Sequence, residues 1–124
     1  MQDRKTLLEM LLRLQDPKAL GRIMVNLREY SWDSEETLVN LTSDIIISIL
    51  ERYLQSELTA QEVEDWANAV EMRDDIEFGV DDDETIMNAI GELANPLLTE
   101  PLTPKSAKAL MEKLRTAAVS APED

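Results

Sequence analysis

The feature that most constrains the fold is a series of apolar stripes with helical spacing, separated by helix start and stop signals. The clearest stripe is Leu20, Ile23, Met24 and Leu27, which follow one another at i, i+3, i+4 and i+7. No segment alternates apolar and polar residues with period two for long. The sequence therefore predicts an all-α fold: a compact single-domain bundle of about six helices over residues 1–124, with a frayed tail from about residue 120.

Local capping signals divide the chain into these helices. A Ser, Thr, Asp or Asn at an N-cap, a Glu three residues later, and a proline at the first helical position all favour a helix start. Three such starts are Asp16–Pro17, Thr59 with Glu62, and Thr103–Pro104, whereas Asn95–Pro96 predicts a helix end. We therefore expect helices to end before residue 17 and at residue 95, and to start at residues 17, 60 and 104.

The longest predicted helix spans about residues 35–55. Asp33 would be its N-cap, with Glu36 as the reciprocal partner of a capping box. Its apolar positions recur with helical spacing as far as Leu54. We expect it to be the central helix of the bundle.

The segment of residues 74–84 shows no clear period and predicts a loop rich in acidic residues. Ile76 and Phe78 are its apolar members, and we expect them to anchor the loop to the core while the acids face water. Asp83 is placed to cap the helix that follows.

Charge is the strongest functional signal. The chain has 26 acids against 12 bases, for a net charge of −14. Residues 51–100 alone hold 15 acids and 2 bases, so nearly all the excess lies in one stretch. Such a field repels phosphate backbones and anionic lipid, and it attracts basic proteins. We therefore expect a basic protein partner, no direct nucleic-acid binding and no membrane binding.

The missing residue types restrict the chemistry. Histidine and cysteine are both absent, which excludes the usual zinc ligands, a thiol nucleophile, a Ser–His–Asp triad and a disulfide framework. The acidic run that ends at Glu84 lacks the alternation and the glycine of a calcium loop. With no long apolar run and no signal-peptide pattern, we expect a soluble, cytoplasmic, non-catalytic protein that needs no metal and no cofactor.

The partner-binding residues are predicted from this charge pattern. Acid runs are usually solvated surface, but here the acids are concentrated and almost without basic neighbours, which favours a binding surface. Trp66 lies on an apolar stripe and is predicted to be core, whereas Trp32 fits either a core plug or an exposed anchor. The predicted set is Asp74, Asp75, Glu77, Asp81, Asp82, Asp83 and Glu84, followed by Glu62, Asp65 and Trp32.

Several segments also share an order with a known group of proteins. They are Trp32-Asp33-Ser34-Glu35, Leu50-Glu51-Arg52-Tyr53-Leu54, Glu57-Leu58-Thr59-Ala60, Val63-Glu64-Asp65-Trp66-Ala67-Asn68, Arg73-Asp74-Asp75-Ile76, Glu92-Leu93-Ala94-Asn95-Pro96 and Pro101-Leu102-Thr103-Pro104. This order, over roughly residues 30–115, resembles small helical immunity proteins of bacterial toxin systems, including contact-dependent growth inhibition. The resemblance implies that the chain neutralises a basic toxin domain, a nuclease in particular, in a 1:1 complex that masks the toxin's active site.

Other functions remain open from the sequence. A DNA-mimic inhibitor of a DNA-binding enzyme would share the electrostatics, but it needs acids spread along an elongated surface. A helical adaptor without inhibitory activity would use the acids for solubility alone. Hydrolysis by a carboxylate pair would require a deep pocket holding two acids.

Overall fold

In a computed structural model, the chain forms a helical bundle with one small sheet. The structure describes residues 4–14, 16–27, 39–71, 73, 76–78, 84–96 and 101–120. Over these residues it has six α-helices and two strands, which confirms the predicted all-α bundle. In chain order the elements are α1 (Arg4–Arg13), a 3-10 turn (Pro17–Ala19), α2 (Leu20–Leu27), β1 (Val39–Leu41), α3 (Ser43–Leu54), α4 (Ala60–Glu71), β2 (Ile76–Phe78), α5 (Glu84–Ala94) and α6 (Pro104–Ser120).

The predicted break between the first two helices is confirmed. Leu14, just past the end of α1, has a φ of 45°, in the left-handed region where helices commonly end. Two residues later the Asp16 carboxylate accepts a hydrogen bond of 3.1 Å from the Lys18 backbone N–H. This bond caps the 3-10 turn that leads into α2, as the aspartate–proline pair predicts.

The capping signals of α4 and α6 are confirmed in atomic detail. The Glu62 N–H donates to Thr59 Oγ1 at 3.1 Å, and the Thr59 N–H donates back to Glu62 Oε1 at 2.9 Å. At the start of α6, the Ser106 N–H donates to Thr103 Oγ1 at 3.1 Å, and the Thr103 N–H donates to Ser106 Oγ at 2.8 Å. Both helix starts thus satisfy their free backbone donors with neighbouring side chains. The predicted end of α5 before Pro96 is also confirmed.

The prediction of one long helix over residues 35–55 is wrong. The chain forms a strand at Val39–Leu41, and α3 starts only at Ser43, where Thr42 Oγ1 accepts from the Ile45 N–H at 3.4 Å. The longest helix is α6, with 17 residues against 12 in α3. The predicted capping box of Asp33 and Glu36 lies outside the described residues.

The prediction of a loop over residues 74–84 is wrong at its centre. Ile76–Phe78 forms β2, which pairs in parallel with β1 in the register Val39↔Ile76 and Leu41↔Phe78. Each run alternates apolar, polar and apolar residues, but three residues are too few to predict a strand, and the pairing joins segments more than 30 positions apart. Ile76 is buried and Phe78 packs against the core, which confirms both as anchors.

The core is aliphatic and is organised around one tryptophan. Trp66 on α4 is fully buried, as predicted, and its indole N–H donates to the carbonyl of Leu11 at 2.9 Å. That bond satisfies the polar atom of the largest core side chain and joins α4 to α1 across the bundle. Around it, α4 packs on α5 and α3 packs on α6. Within the described ranges, no helix has the length and apolar character needed to cross a membrane.

Candidate partner-binding surface

Two neighbouring helices concentrate the negative charge. The sequence of α4 contains four acids and no Lys or Arg, and that of α5 contains two acids and no Lys or Arg. Because α4 and α5 pack directly against each other, we treat the two helices as one unit, which we call the acidic helix pair. Its carboxylates are those of Glu62, Glu64, Asp65, Glu71, Glu84 and Glu92.

Six of the ten predicted binding residues lie outside the described residues. They are Trp32, Asp74, Asp75, Asp81, Asp82 and Asp83. The other four are placed by the structure on three different elements. Glu62 and Asp65 belong to α4, Glu77 to β2 and Glu84 to α5. Their assignment to a partner interface stays a prediction.

The two acids of α4 have contacts within the helix itself. Glu62 accepts the Thr59 N–H in the capping box, so its carboxylate already has a structural role at the helix start. Asp65 is exposed, and its Oδ1 accepts from Gln61 Nε2 at 2.9 Å, one helical turn earlier. Asp65 therefore offers its second oxygen to solvent, whereas Glu62 is explained by helix capping alone.

The other two predicted acids are displayed in different ways. Glu77 lies at the centre of β2, half-buried, and pairs in register with the exposed Asn40 of β1. Since side chains alternate along a strand, Glu77 and Asn40 share the sheet face opposite to that of Ile76. Glu84 is exposed at the first residue of α5, where a carboxylate interacts favourably with the helix dipole.

Three further acids lie where α4 and α5 face each other. Glu64 and Glu92 line one cavity of about 280 Å³. Glu71 places its Oε2 atom 3.7 Å from the point where a Cβ on Gly91 would lie, so this carboxylate lies close to α5. These three residues are not among the ten predicted from the sequence. The spacing of Glu64 and Glu71 along one flank of the α4 stripe was visible, but their proximity to α5 was not.

A single base occurs between residues 53 and 100, and it is not on the surface. The Arg73 side chain is only 6% exposed, and its backbone N–H donates to the Val70 carbonyl at 3.2 Å, at the end of α4. A buried guanidinium is not offered to a partner. The carboxylates of the acidic helix pair therefore have no exposed base among residues 53–100.

A second concave region adjoins the first. A groove of about 490 Å³ runs between α5 and α6, and its walls include Asn88, Leu110 and Lys113. Glu92 lines both this groove and the smaller cavity. The carboxylates do not converge on a metal site: over the part of the chain that the structure describes, no group of three or more acidic residues is arranged to hold a metal ion.

Comparisons with protein-family models, with curated proteins and with solved structures find no match to this chain. The resemblance to immunity proteins has no support from them and stays a prediction. The charge distribution and the geometry of the acidic helix pair are the observations that bear on function.

Proposed function

We propose that this chain is an immunity-type inhibitor that binds a basic toxin domain, a nuclease, in a 1:1 complex and masks its active site. The observation that carries the proposal is the acidic helix pair, in which two adjacent helices hold six acids and no Lys or Arg. An acidic load of this kind is unfavourable for the isolated protein because the carboxylates repel one another. A basic partner neutralises these charges and so removes the repulsion. Solubility alone does not require acids to be concentrated in this way.

The proposed partner follows from the same electrostatics. A nuclease holds phosphates in a basic cleft, and a surface that repels nucleic acid attracts such a cleft. Complementary charge speeds diffusional encounter, so the complex forms rapidly at low salt. Apolar contacts then slow dissociation, since affinity is mostly adjusted through the dissociation rate. The exposed Met87 on α5 is an apolar side chain within the acidic helix pair that can make such a contact.

The first experiment identifies the partner. The tagged chain is used to capture proteins from a lysate of its source organism, bound proteins are eluted with a salt step, and they are identified by mass spectrometry. Recovery of a basic toxin domain whose nuclease activity the chain inhibits is the expected result. Recovery of a chromosomal DNA-binding enzyme would contradict the proposal and favour a DNA mimic, and an empty eluate would contradict both.

The second experiment tests the surface with the recovered domain. A variant with Asp65→Asn and Glu84→Gln removes two exposed charges from the acidic helix pair. The matched control, Asp44→Asn with Glu9→Gln, removes two exposed charges from α3 and α1. We expect the first variant to lower the association rate more than the control, and both differences to shrink as salt is added. Equal rates for the two variants, or a rate that does not depend on salt, would contradict the proposed surface.

A further inference from the structure

The cavity at the end of the acidic helix pair has the character of a binding pocket for one side chain. Its walls come from the first turn of α4, the end of α5 and the chain that enters α6. Leu93, Pro96 and Leu102 supply apolar wall, while Glu64 and Glu92 supply two carboxylates from different helices. The volume of about 280 Å³ is small, at the lower end of the range of about 300–1,000 Å³ typical of ligand sites.

Hydrogen bonds hold the wall of this cavity in place. The buried Ser106 donates its hydroxyl to the Pro101 carbonyl at 3.0 Å, which ties the entry segment to the cap of α6. On the other side, the Tyr53 hydroxyl donates to the Leu102 carbonyl at 3.3 Å, which ties the same segment to α3. A cavity with fixed walls binds without a large ordering cost.

The chemistry of the lining selects the occupant. Half-buried carboxylates on two sides favour a cation, and the apolar wall favours a long aliphatic stem. Arginine combines both properties, and its planar guanidinium can donate to two carboxylates at once while losing less hydration than an ammonium group. The carboxylate of Glu64 makes no ion pair with any of the described residues.

We propose that this cavity receives an arginine side chain from the basic partner, with its stem along Leu93, Pro96 and Leu102 and its guanidinium at Glu64 and Glu92. The inference rests on the proposed function, since it names the part of the basic protein that enters the acidic helix pair. Buried arginines that fill fixed pockets are frequent energetic centres of protein interfaces. The site therefore anchors the partner, while the exposed acids around it guide the approach.

The pocket can be tested without the partner. The probe is the blocked tripeptide acetyl-Gly-Arg-Gly-amide, titrated into the full chain and followed by backbone amide shifts in ¹H–¹⁵N spectra. We expect saturable shifts centred on residues 60–64, 92–96 and 101–106, with a dissociation constant in the millimolar range. The lysine peptide should bind more weakly, and the neutral citrulline peptide should not bind. Shifts spread over all acidic residues, or equal binding of the lysine or citrulline peptide, would overturn the assignment.

Variants distinguish binding of the peptide in the cavity from its general attraction to the negative charge of the protein. The pair Glu64→Gln and Glu92→Gln keeps the side-chain shape and should weaken the arginine peptide by about tenfold or more, because charge-assisted hydrogen bonds are lost. The control pair Glu9→Gln and Asp44→Asn has the same net charge and should bind like the natural chain. Helical circular dichroism checks that both variants fold. An equal loss of peptide binding in the two variants would overturn the proposal.

The outcomes distinguish this inference from the function on which it rests. If the partner is captured equally well by the natural chain and by the Glu64→Gln and Glu92→Gln variant, the arginine pocket is wrong and the acidic interface remains. If the peptide binds in the cavity but no basic toxin domain is captured, the pocket remains and the immunity function is wrong.

Discussion

The helices α4 and α6 bury the same pattern of apolar residues, but their exposed faces carry opposite charges. Each starts after a capping threonine, and among the described side chains each buries four apolar residues that begin four positions later, at i, i+3, i+4 and i+7. The buried sets are Val63, Trp66, Ala67 and Val70 in α4, and Ala107, Leu110, Met111 and Leu114 in α6. Facing outward, α4 carries four acids and no base, whereas α6 carries four bases and one acid.

This difference separates what folding requires from what it leaves free. The buried stripe and the cap are nearly the same in both helices because both must satisfy free N–H groups and cover one face of the core. The outward charges do not follow from either need, since α6 folds into the same bundle with the opposite sign. Folding therefore does not require the negative charge of α4 and α5, which is the charge that the proposed interaction uses, and four predictions test the comparison.

The largest effect is expected in the second turn of the two helices, at the second position of the shared stripe. Trp66→Ala should lower the free energy of unfolding by about 3–5 kcal/mol, and the equivalent Leu110→Ala by about 2–4 kcal/mol. The tryptophan costs more because its removal also leaves the Leu11 carbonyl without its donor. Urea denaturation of both variants measures the difference. A smaller loss for Trp66→Ala than for Leu110→Ala would show that the two interiors are not equivalent.

Loss of the Thr103 cap should destabilise the protein more than loss of the Thr59 cap, because the hydrogen bonds of the Thr103 cap are more buried. Thr103→Ala should cost about 1–2 kcal/mol, since its partner Ser106 is buried. Thr59→Ala should cost about 0.5–1 kcal/mol because water can replace the hydroxyl beside the half-exposed Glu62. Thermal unfolding of both variants checks this order. Equal losses would mean that the buried hydroxyl does not depend on its threonine partner.

A substitution at Gly91 tests how closely α4 packs against α5. A Cβ at position 91 would lie 3.7 Å from Glu71 Oε2, an ordinary contact. Gly91→Ala should therefore stabilise the protein by about 0.5–1 kcal/mol through helix propensity. Gly21→Ala in α2, where a Cβ meets nothing within 4 Å, is the matched control with the same expected gain. Destabilisation at position 91 alone would show that the helices of the acidic pair are packed more tightly than this.

The smallest effect is expected at the outer face of α6. Arg115 forms an ion pair of 3.3 Å with Glu51 on α3, and both side chains are about half exposed. Removing the charge by Arg115→Gln should change the free energy of unfolding by about 0.5 kcal/mol or less, since exposed pairs are weakened by water and salt. Chemical denaturation at low and high salt measures it. A loss well above this size would indicate that the bases of α6 stabilise the fold, which would weaken the comparison with α4.

Much of the helical framework could be predicted from local signals. The capping boxes at Thr59 and Thr103 and the turn at Asp16 depend on atoms within a few residues of one another, so their sequence patterns are sufficient. The burial of Trp66 follows from its place on an apolar stripe. The candidate site was predicted less well, because Glu64, Glu71 and Glu92 become neighbours of α5 or of the cavity only when α4 packs on α5.

By itself, the sequence determined the starts of α4 and α6, the buried faces and the uneven distribution of charge, because each of these depends on residue type and on spacing within one segment. The tertiary structure decided the pairing of β1 with β2. This pairing places one strand in the first part of the predicted long helix and the other strand within the predicted loop. It also decided the bond from Trp66 to Leu11 and the cavity shared by Glu64 and Glu92. These features join residues that are far apart in the chain, and the free energy that holds them comes from contacts that no single segment contains.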